Sequence, residues 1–248
     1  MSQDEKPNNV DKTVHDLEAL EIFQTKPHPC SYLSNEIATT VFLNPQQRLD
    51  PSLYTQLAEY GFRRSGNHVY KPMCAKCQAC IPVRVPVKLF KPKHQQKRIW
   101  KRNQDLSISM VNTIDTTEHY GLYERYINAR HADGDMYPPS TEQFKTFLAN
   151  GWPSSRYYEF RLEGKLIAVS VADVLDNGIS AVYSYFDPDQ HRRSLGTFIV
   201  LFLIDQALNL QLPSLYLGYW IKSSPKMNYK ANFRPLEMQN GSTWLLLK

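Results

Sequence analysis

Three of the chain's four cysteines, Cys74, Cys77 and Cys80, fall at strict three-residue spacing in "YKPMCAKCQACIPVRV" (70–85), and the fourth, Cys30, lies upstream in "HPCSYL". Thiolates are soft metal ligands. Zinc sites commonly pair two Cys-x-x-Cys knuckles. A continuous Cys-x-x-Cys-x-x-Cys with one remote cysteine instead resembles the spacing that wraps a [4Fe–4S] cluster. Three readings stay open: zinc, an iron–sulfur cluster, and reduced thiols packed in a turn. A disulfide is disfavoured, because the acidic, polar start "MSQDEKPNNVDK" is not a secretory signal and the protein reads as cytosolic.

Anion chemistry is written elsewhere. "KLFKPKHQQKRIWKRNQ" (88–104) carries seven Lys or Arg, with no acid before Asp105, a local charge suited to phosphates. In "YFDPDQHRRSLGTF" a strand gives way to a turn with Arg192, Arg193, Ser194 and Gly196, and then to an apolar helix, whose first N–H groups form a natural anion site. This matches the Gln/Arg-x-x-Gly-x-Gly/Ala turn of coenzyme-A-dependent N-acetyltransferases until its last position, where Phe198 stands for a small residue. Coenzyme A binding is therefore not expected. In "LGYWIKSSPKMNYKANFRPLE" (217–237), Lys226, Tyr229, Lys230 and Arg234 mix cations with aromatic rings, as a nucleotide or a single-stranded terminus requires.

These groups need a scaffold. Net charge +5 is only mildly basic and decides little, and 42% hydrophobic residues over 248 positions allow a substantial core. The longest apolar run, "FIVLFLI" (198–204), is cut by Asp205 and falls far short of the ~20 residues that span a membrane. Asp50, Pro51 and Gly61 mark a helix over 50–61, and Ser65-Gly66-Asn67 marks a hairpin over 62–72. The cysteine loop leads to a strand over 81–87 and a basic helix over 93–104. Beyond residue 105 come a strand, a helix over 117–131, a helix over 140–150 with a Ser140–Gln143 capping box, and three strands ending at Phe186. A helix over 194–209, a strand over 214–220 and a final strand in "STWLLL" complete the chain. The order predicts an α+β fold with a mixed sheet, divided into an arm (1–20), a cysteine-containing region (21–104) and a second domain (105–248).

Taken together and in order, "HPCSYL", "GFRRSGNHVYKPMCAKCQACIPVRVPV", "KRNQDL", "RHADGDMYPPS", "AVYSYFDP", "RRSLGTF" and "LGYWIKSSPKMNYKANFRPLE" closely resemble the bacterial aspartate/glutamate leucyltransferases, relatives of the eukaryotic arginyl-tRNA–protein transferases. The resemblance runs from about residue 20 to the carboxyl end. It implies an N-terminal cysteine-containing region and a C-terminal N-acetyltransferase-like domain. The implied activity moves leucine from leucyl-tRNA to the α-amine of proteins that begin with Asp or Glu. The partners implied are leucyl-tRNA and those proteins, with no membrane.

The donor ester is already activated, so the transfer requires no cofactor. The relatives carry a different cysteine pattern, with Leu33 here in the place of a second early cysteine. Zinc or an iron–sulfur cluster at Cys30, Cys74, Cys77 and Cys80 is thus an expectation only. For catalysis the candidates are Tyr229 and Ser194 as hydroxyl groups and Asp187 or His131 as proton acceptors. For the acidic residue they are Arg63, Arg64 and Arg84, with Lys226, Lys230 and Arg234 opposite. For tRNA phosphates they are Lys97, Arg98, Lys101, Arg102, Arg192 and Arg193. The competing classes are arginyl transfer, a coenzyme-A-dependent acetyltransferase, and an RNA-binding protein without catalysis.

Overall fold

Helix α1 (Pro51–Glu59) starts where Asp50 accepts the Leu53 N–H at 2.8 Å, and Pro51 occupies the first turn, where no N–H partner is needed. In the computed structural model, which describes residues 20–47 and 49–247, α1 follows four short strands. These are β1 (Ile22–Gln24), β2 (His28–Pro29), β3 (Ile37–Ala38) and β4 (Thr40–Leu43). After it, β5 (Arg63–Ser65) and β6 (His68–Pro72) close the expected hairpin. Strands β1, β4, β6 and β5 form one small sheet in that order, and β2 with β3 forms a ribbon whose connection carries Cys30. Leu53, Tyr54 and Leu57 of α1 pack with Leu43, Val69, Leu175 and Tyr216. Apart from Leu20, the arm expected over 1–20 lies outside the described residues.

The large sheet is built from β7 (Ile81–Pro86), β8 (Ser107–Val111), β9 (Ser155–Leu162), β10 (Lys165–Leu175), β11 (Gly178–Phe186), β12 (Ser214–Trp220), β13 (Leu236–Asn240) and β14 (Thr243–Leu247). Their order is β14–β13–β7–β12–β11–β10–β9–β8, and only β11 and β12 run parallel. Between β7 and β8 lies α2 (His94–Arg102). Between β8 and β9 lie α3 (Thr117–Arg130) and α4 (Thr141–Phe144), the latter continued by a wider turn over Lys145–Ala149. Between β11 and β12 lies α5 (Leu195–Asn209). Strand β10 is covered on both faces, which explains its nearly unbroken apolar run. Helices α5 and α2 cover one face, while α3 and α4 lie on the other. Each large side chain of α5 that is buried, such as Ile199 or Leu203, contributes about 1.5–3 kcal/mol. No helix among the described residues is long and apolar enough to cross a membrane.

The expected α+β class with a mixed sheet and flanking helices is the observed one. Four details differ. Strand β13 is not expected from the sequence, because in "LEMQN" the alternation rests on Leu236 and Met238 alone; it is held by pairing with β7 and β14. Strand β7, which the 21–104 division assigns to the cysteine-containing region, sits inside the large sheet between β13 and β12, so that sheet does not divide at residue 104. The Ser140 hydroxyl accepts the Gln143 N–H at 3.1 Å, but the Gln143 side chain turns instead to the Tyr123 hydroxyl, leaving half a capping box. Finally, the Phe198 ring is turned into the core between Trp100 and Phe160, so it does not close the turn before α5.

Candidate active site at the fork of strands β11 and β12

The two parallel strands stay together only briefly. They pair at Gly178–Ser214, Ile179–Leu215 and Ser180–Tyr216 and then part, β11 following β10 to Phe186 and β12 following β7 to Trp220. A register shift between Tyr216 and Gly218 accompanies the parting, as bulges accompany bends. Gly218 takes φ +80°, a conformation glycine adopts without strain, and a Cβ there would lie 3.9 Å from Arg63 Nε.

Two buried cations occupy this fork. Arg63, 6% exposed, reaches Ser180 Oγ with Nη1 at 3.5 Å, while its Nε and Nη2 have no hydrogen-bond partner among the described residues. The Tyr216 ring lies 5.2 Å from its guanidinium carbon. Lys230, 5% exposed, donates to the Tyr219 carbonyl at 2.7 Å and contacts Met227 Sδ at 3.2 Å. Burial, and then the charge of Arg63, bring its ammonium down to about 7. Among the described residues no carboxylate pairs with either cation. Unpaired buried donors are uncommon and call for an explanation.

The other basic candidates are already engaged. Arg64 donates from Nε to Asp173 Oδ2 at 2.6 Å and from Nη2 to Oδ1 at 2.9 Å, with both side chains fully buried. Arg84 binds Glu59 at 2.6 Å and Glu237 at 2.5 Å and stacks on Trp244. Lys226 pairs with Asp133 at 2.7 Å. Arg234 donates to the Ala231 carbonyl at 3.1 Å. Of the six residues expected to meet the acidic side chain, the fork brings Arg63 and Lys230 together; Arg64 and Arg84 serve as internal ties.

The catalytic candidates separate likewise. Tyr229 is 42% exposed, its ring 5.5 Å from Lys230 Nζ. His131 Nε2 lies 3.3 Å from the Tyr126 hydroxyl, and burial followed by Lys226 lowers its pKa. The Tyr126 ring packs on Phe186 at the end of β11. Asp187 is 1% exposed and caps the next turn through the Asp189 N–H. Burial alone would raise its carboxyl, but that N–H and Arg125 hold it below the usual range. Ser194, at φ +54°, makes no capping bond with its side chain. Asp187 and Ser194 thus belong to the turn that follows β11.

Cys30, Cys74, Cys77 and Cys80 are partly buried free thiols. Burial, and then Cys30, Cys74 and Cys77, push the Cys80 thiol up to about 12. Cys30 Sγ accepts the Tyr32 N–H and Cys74 Sγ faces the Thr39 carbonyl. Among the described residues, no three His, Cys, Asp or Glu side chains are grouped to hold a metal ion.

On the α2 face, Lys97, Arg98, Lys101 and Arg102 are exposed, and Arg102 bonds the carbonyl of exposed Arg192. Arg193 is held by Asp105 through two bonds of 2.8 Å. Arg102, Gln190, Arg192 and Arg193 line a shallow depression of about 490 Å³. Gln96 on α2 donates to the Asn232 carbonyl, tying the basic helix to the turn that carries Lys230. A larger cavity, about 520 Å³, lies between α1 and Trp152 and includes neither Arg63 nor Lys230. Sequence reasoning missed Ser180 and Gly218; a glycine inside the strand pattern "SLYLGYW" is the one available signal of close backbone approach.

With this geometry in place, comparison with known proteins identifies the lineage. The signature described as "Arginine-tRNA-protein transferase, N terminus" matches residues 28–98, and that described as "Arginine-tRNA-protein transferase, C terminus" matches residues 118–240. The chain is 53% identical over 232 residues to an aspartate/glutamate leucyltransferase of Pseudomonas syringae pv. tomato, covering 94% of this chain and 99% of that one. It is 54% identical over 231 residues to one of Stutzerimonas stutzeri, covering 93% and 98%. Among solved structures, FemX shares the fold, with a TM-score of 0.52 at 5% identity over 92% of this chain and 88% of that one. The chain belongs to the arginine-tRNA–protein transferase family and, within it, to the aspartate/glutamate leucyltransferases.

Proposed function

We propose that the protein is a cytoplasmic aminoacyl-tRNA–protein transferase that moves leucine from leucyl-tRNA to the α-amine of proteins beginning with Asp or Glu, marking them for degradation. The observation that carries this reading is the buried guanidinium of Arg63 at the fork, whose Nε and Nη2 have no hydrogen-bond partner among the described residues. A guanidinium offers paired donors in a plane that a carboxylate matches. Seating the acidic side chain there places the adjacent α-amine in the gap between the strands. The tRNA backbone runs along Lys97, Arg98, Lys101, Arg102 and Arg192, with exposed Tyr229 beside its 3′ end.

The aminoacyl ester carries its own activation, so no cofactor is required. Two strands that stop pairing leave backbone N–H groups free to face a tetrahedral oxyanion, and positioning supplies much of the rate. Leucine as donor suits a centre that already holds two buried cations, because its side chain brings no further charge.

The test incubates the protein with leucyl-tRNA or arginyl-tRNA and peptides that begin with Asp, Glu, Arg or Ala. Leucine transfer restricted to Asp and Glu supports the reading. Arginine transfer, or acetyl transfer independent of tRNA, overturns it.

A further inference from the structure

The acceptor reaches the enzyme as an ammonium and must lose a proton before it can attack. Among the candidates, Asp187 is pinned by Arg125 and Lys165, and the His131 ring is engaged with the Tyr126 hydroxyl. Lys230 is different. Its Nζ sits at the fork with a carbonyl and a thioether for partners and, among the described residues, no carboxylate. The titratable and charged groups facing it are Arg63 from β5, Cys80 from the loop before β7, and the Tyr229 ring of its own turn.

Resting on the function proposed above, we infer that Lys230 is a catalytic residue: as the free amine it takes the proton from the acceptor's α-ammonium, and the acceptor's own side-chain carboxylate, seated against Arg63, holds that proton on Lys230. The α-amine then attacks the ester carbonyl of leucyl-tRNA. The C–N bond forms, the bond from carbonyl carbon to ribose oxygen breaks, and the departing ribose oxygen takes the second proton from the attacking nitrogen. Lys230 returns its proton to water as the product leaves.

Specificity and catalysis are thereby one device. A free α-ammonium has a pKa of ~7.7–8.0, somewhat above the value near 7 of Lys230 in the empty fork. Proton transfer to Lys230 is uphill until a carboxylate arrives and strengthens the hold of Lys230 on its proton. Asp and Glu bring that carboxylate; Asn, Gln and Ala do not.

The test compares wild type with Lys230→Arg in leucyl transfer to an Asp-initiated peptide. Arginine keeps the charge that faces the carboxylate but does not give up its proton. Expected at pH 7.5 is a fall in kcat of roughly 100-fold or more, with acceptor KM within about 3-fold of wild type. Activity should recover above pH 8.5, where the α-amine is neutral unaided. A kcat within a few-fold of wild type at pH 7.5 would reduce Lys230 to a binding group and overturn the inference. If Lys230→Arg does not fold, Lys230→Ala is assayed with added methylamine: saturable rescue is expected, and its absence counts against the base. Wild-type transfer in the same assay keeps the two proposals apart, since failure there removes the function itself.

Discussion

Arg64 and Asp173 form a closed pair, Nε to Oδ2 at 2.6 Å and Nη2 to Oδ1 at 2.9 Å, with both side chains out of contact with solvent. Ser155 Oγ adds a bond to the same carboxylate at 2.7 Å, and Arg64 Nη1 donates to the Gly66 carbonyl. The pair ties the β5–β6 hairpin to the end of β10, so the fork inherits its shape from it. Its neighbour in sequence, Arg63, meets no acid among the described residues. Two adjacent arginines of the same chemistry thus divide into a tie and a receptor.

Breaking the tie should therefore damage the fold rather than the specificity. Asp173→Ala leaves the Arg64 charge buried and unpaired and should lower stability by about 3–5 kcal/mol, measured by urea unfolding. Transfer by the fraction that remains folded should still require an acidic first residue. A loss below about 1 kcal/mol would mean that the hairpin is held by other contacts.

Lys230 makes the opposite prediction. Its folded value near 7 lies below the 10.5 of the unfolded chain, a fall that corresponds to about 5 kcal/mol of disfavoured burial. The penalty is complete below pH 7, where the buried amine is charged, and fades as pH rises toward 10.5, where it is neutral in both states. Lys230→Met removes this penalty but leaves the Tyr219 carbonyl without its donor, a loss of about 1–3 kcal/mol. The variant should be inactive yet more stable by about 2–4 kcal/mol at pH 6, with the difference shrinking toward pH 10. Thermal or urea unfolding across that range checks it, and a less stable variant at pH 6 would contradict it.

Much of the scaffold was legible because local chemistry dictates it. Asp50 and Pro51 start α1 where expected, Ser65-Gly66-Asn67 turns the hairpin, and "RRSLGTF" leads into α5. The fork was not legible. It arises because β11 and β12, about thirty residues apart, pair for three positions and then choose different neighbours, and no local pattern encodes that choice. For the same reason Arg63 and Arg64 looked equivalent: their roles depend on Asp173 and Ser180, more than a hundred residues away. The residue types of the site were readable, and their division of labour was not.

The basic face should behave as a sequence-independent phosphate track. Lys97→Ala and Lys101→Ala should each weaken leucyl-tRNA binding without altering the preference for Asp and Glu acceptors, and each should reduce the slope of log K against log salt by about 1. Arg193→Ala, whose side chain is held by Asp105, should change that slope little. Filter binding over a salt series measures both, and equal slopes for wild type and the two lysine variants would move the tRNA elsewhere.

The most direct measurement is the ratio of kcat/KM for leucyl transfer to two peptides that differ only in beginning with Asp or Asn, taken with wild type and with Arg63→Met. A site whose buried donors await a carboxylate rejects the isostere strongly, so wild type should favour Asp by about 10⁴-fold or more. Arg63→Met, which removes a buried charge that no described carboxylate pairs and should fold, should bring that ratio to within about tenfold. An Arg63→Met enzyme that still separates Asp from Asn as wild type does would contradict the reading of Arg63 as the receptor for the acidic residue.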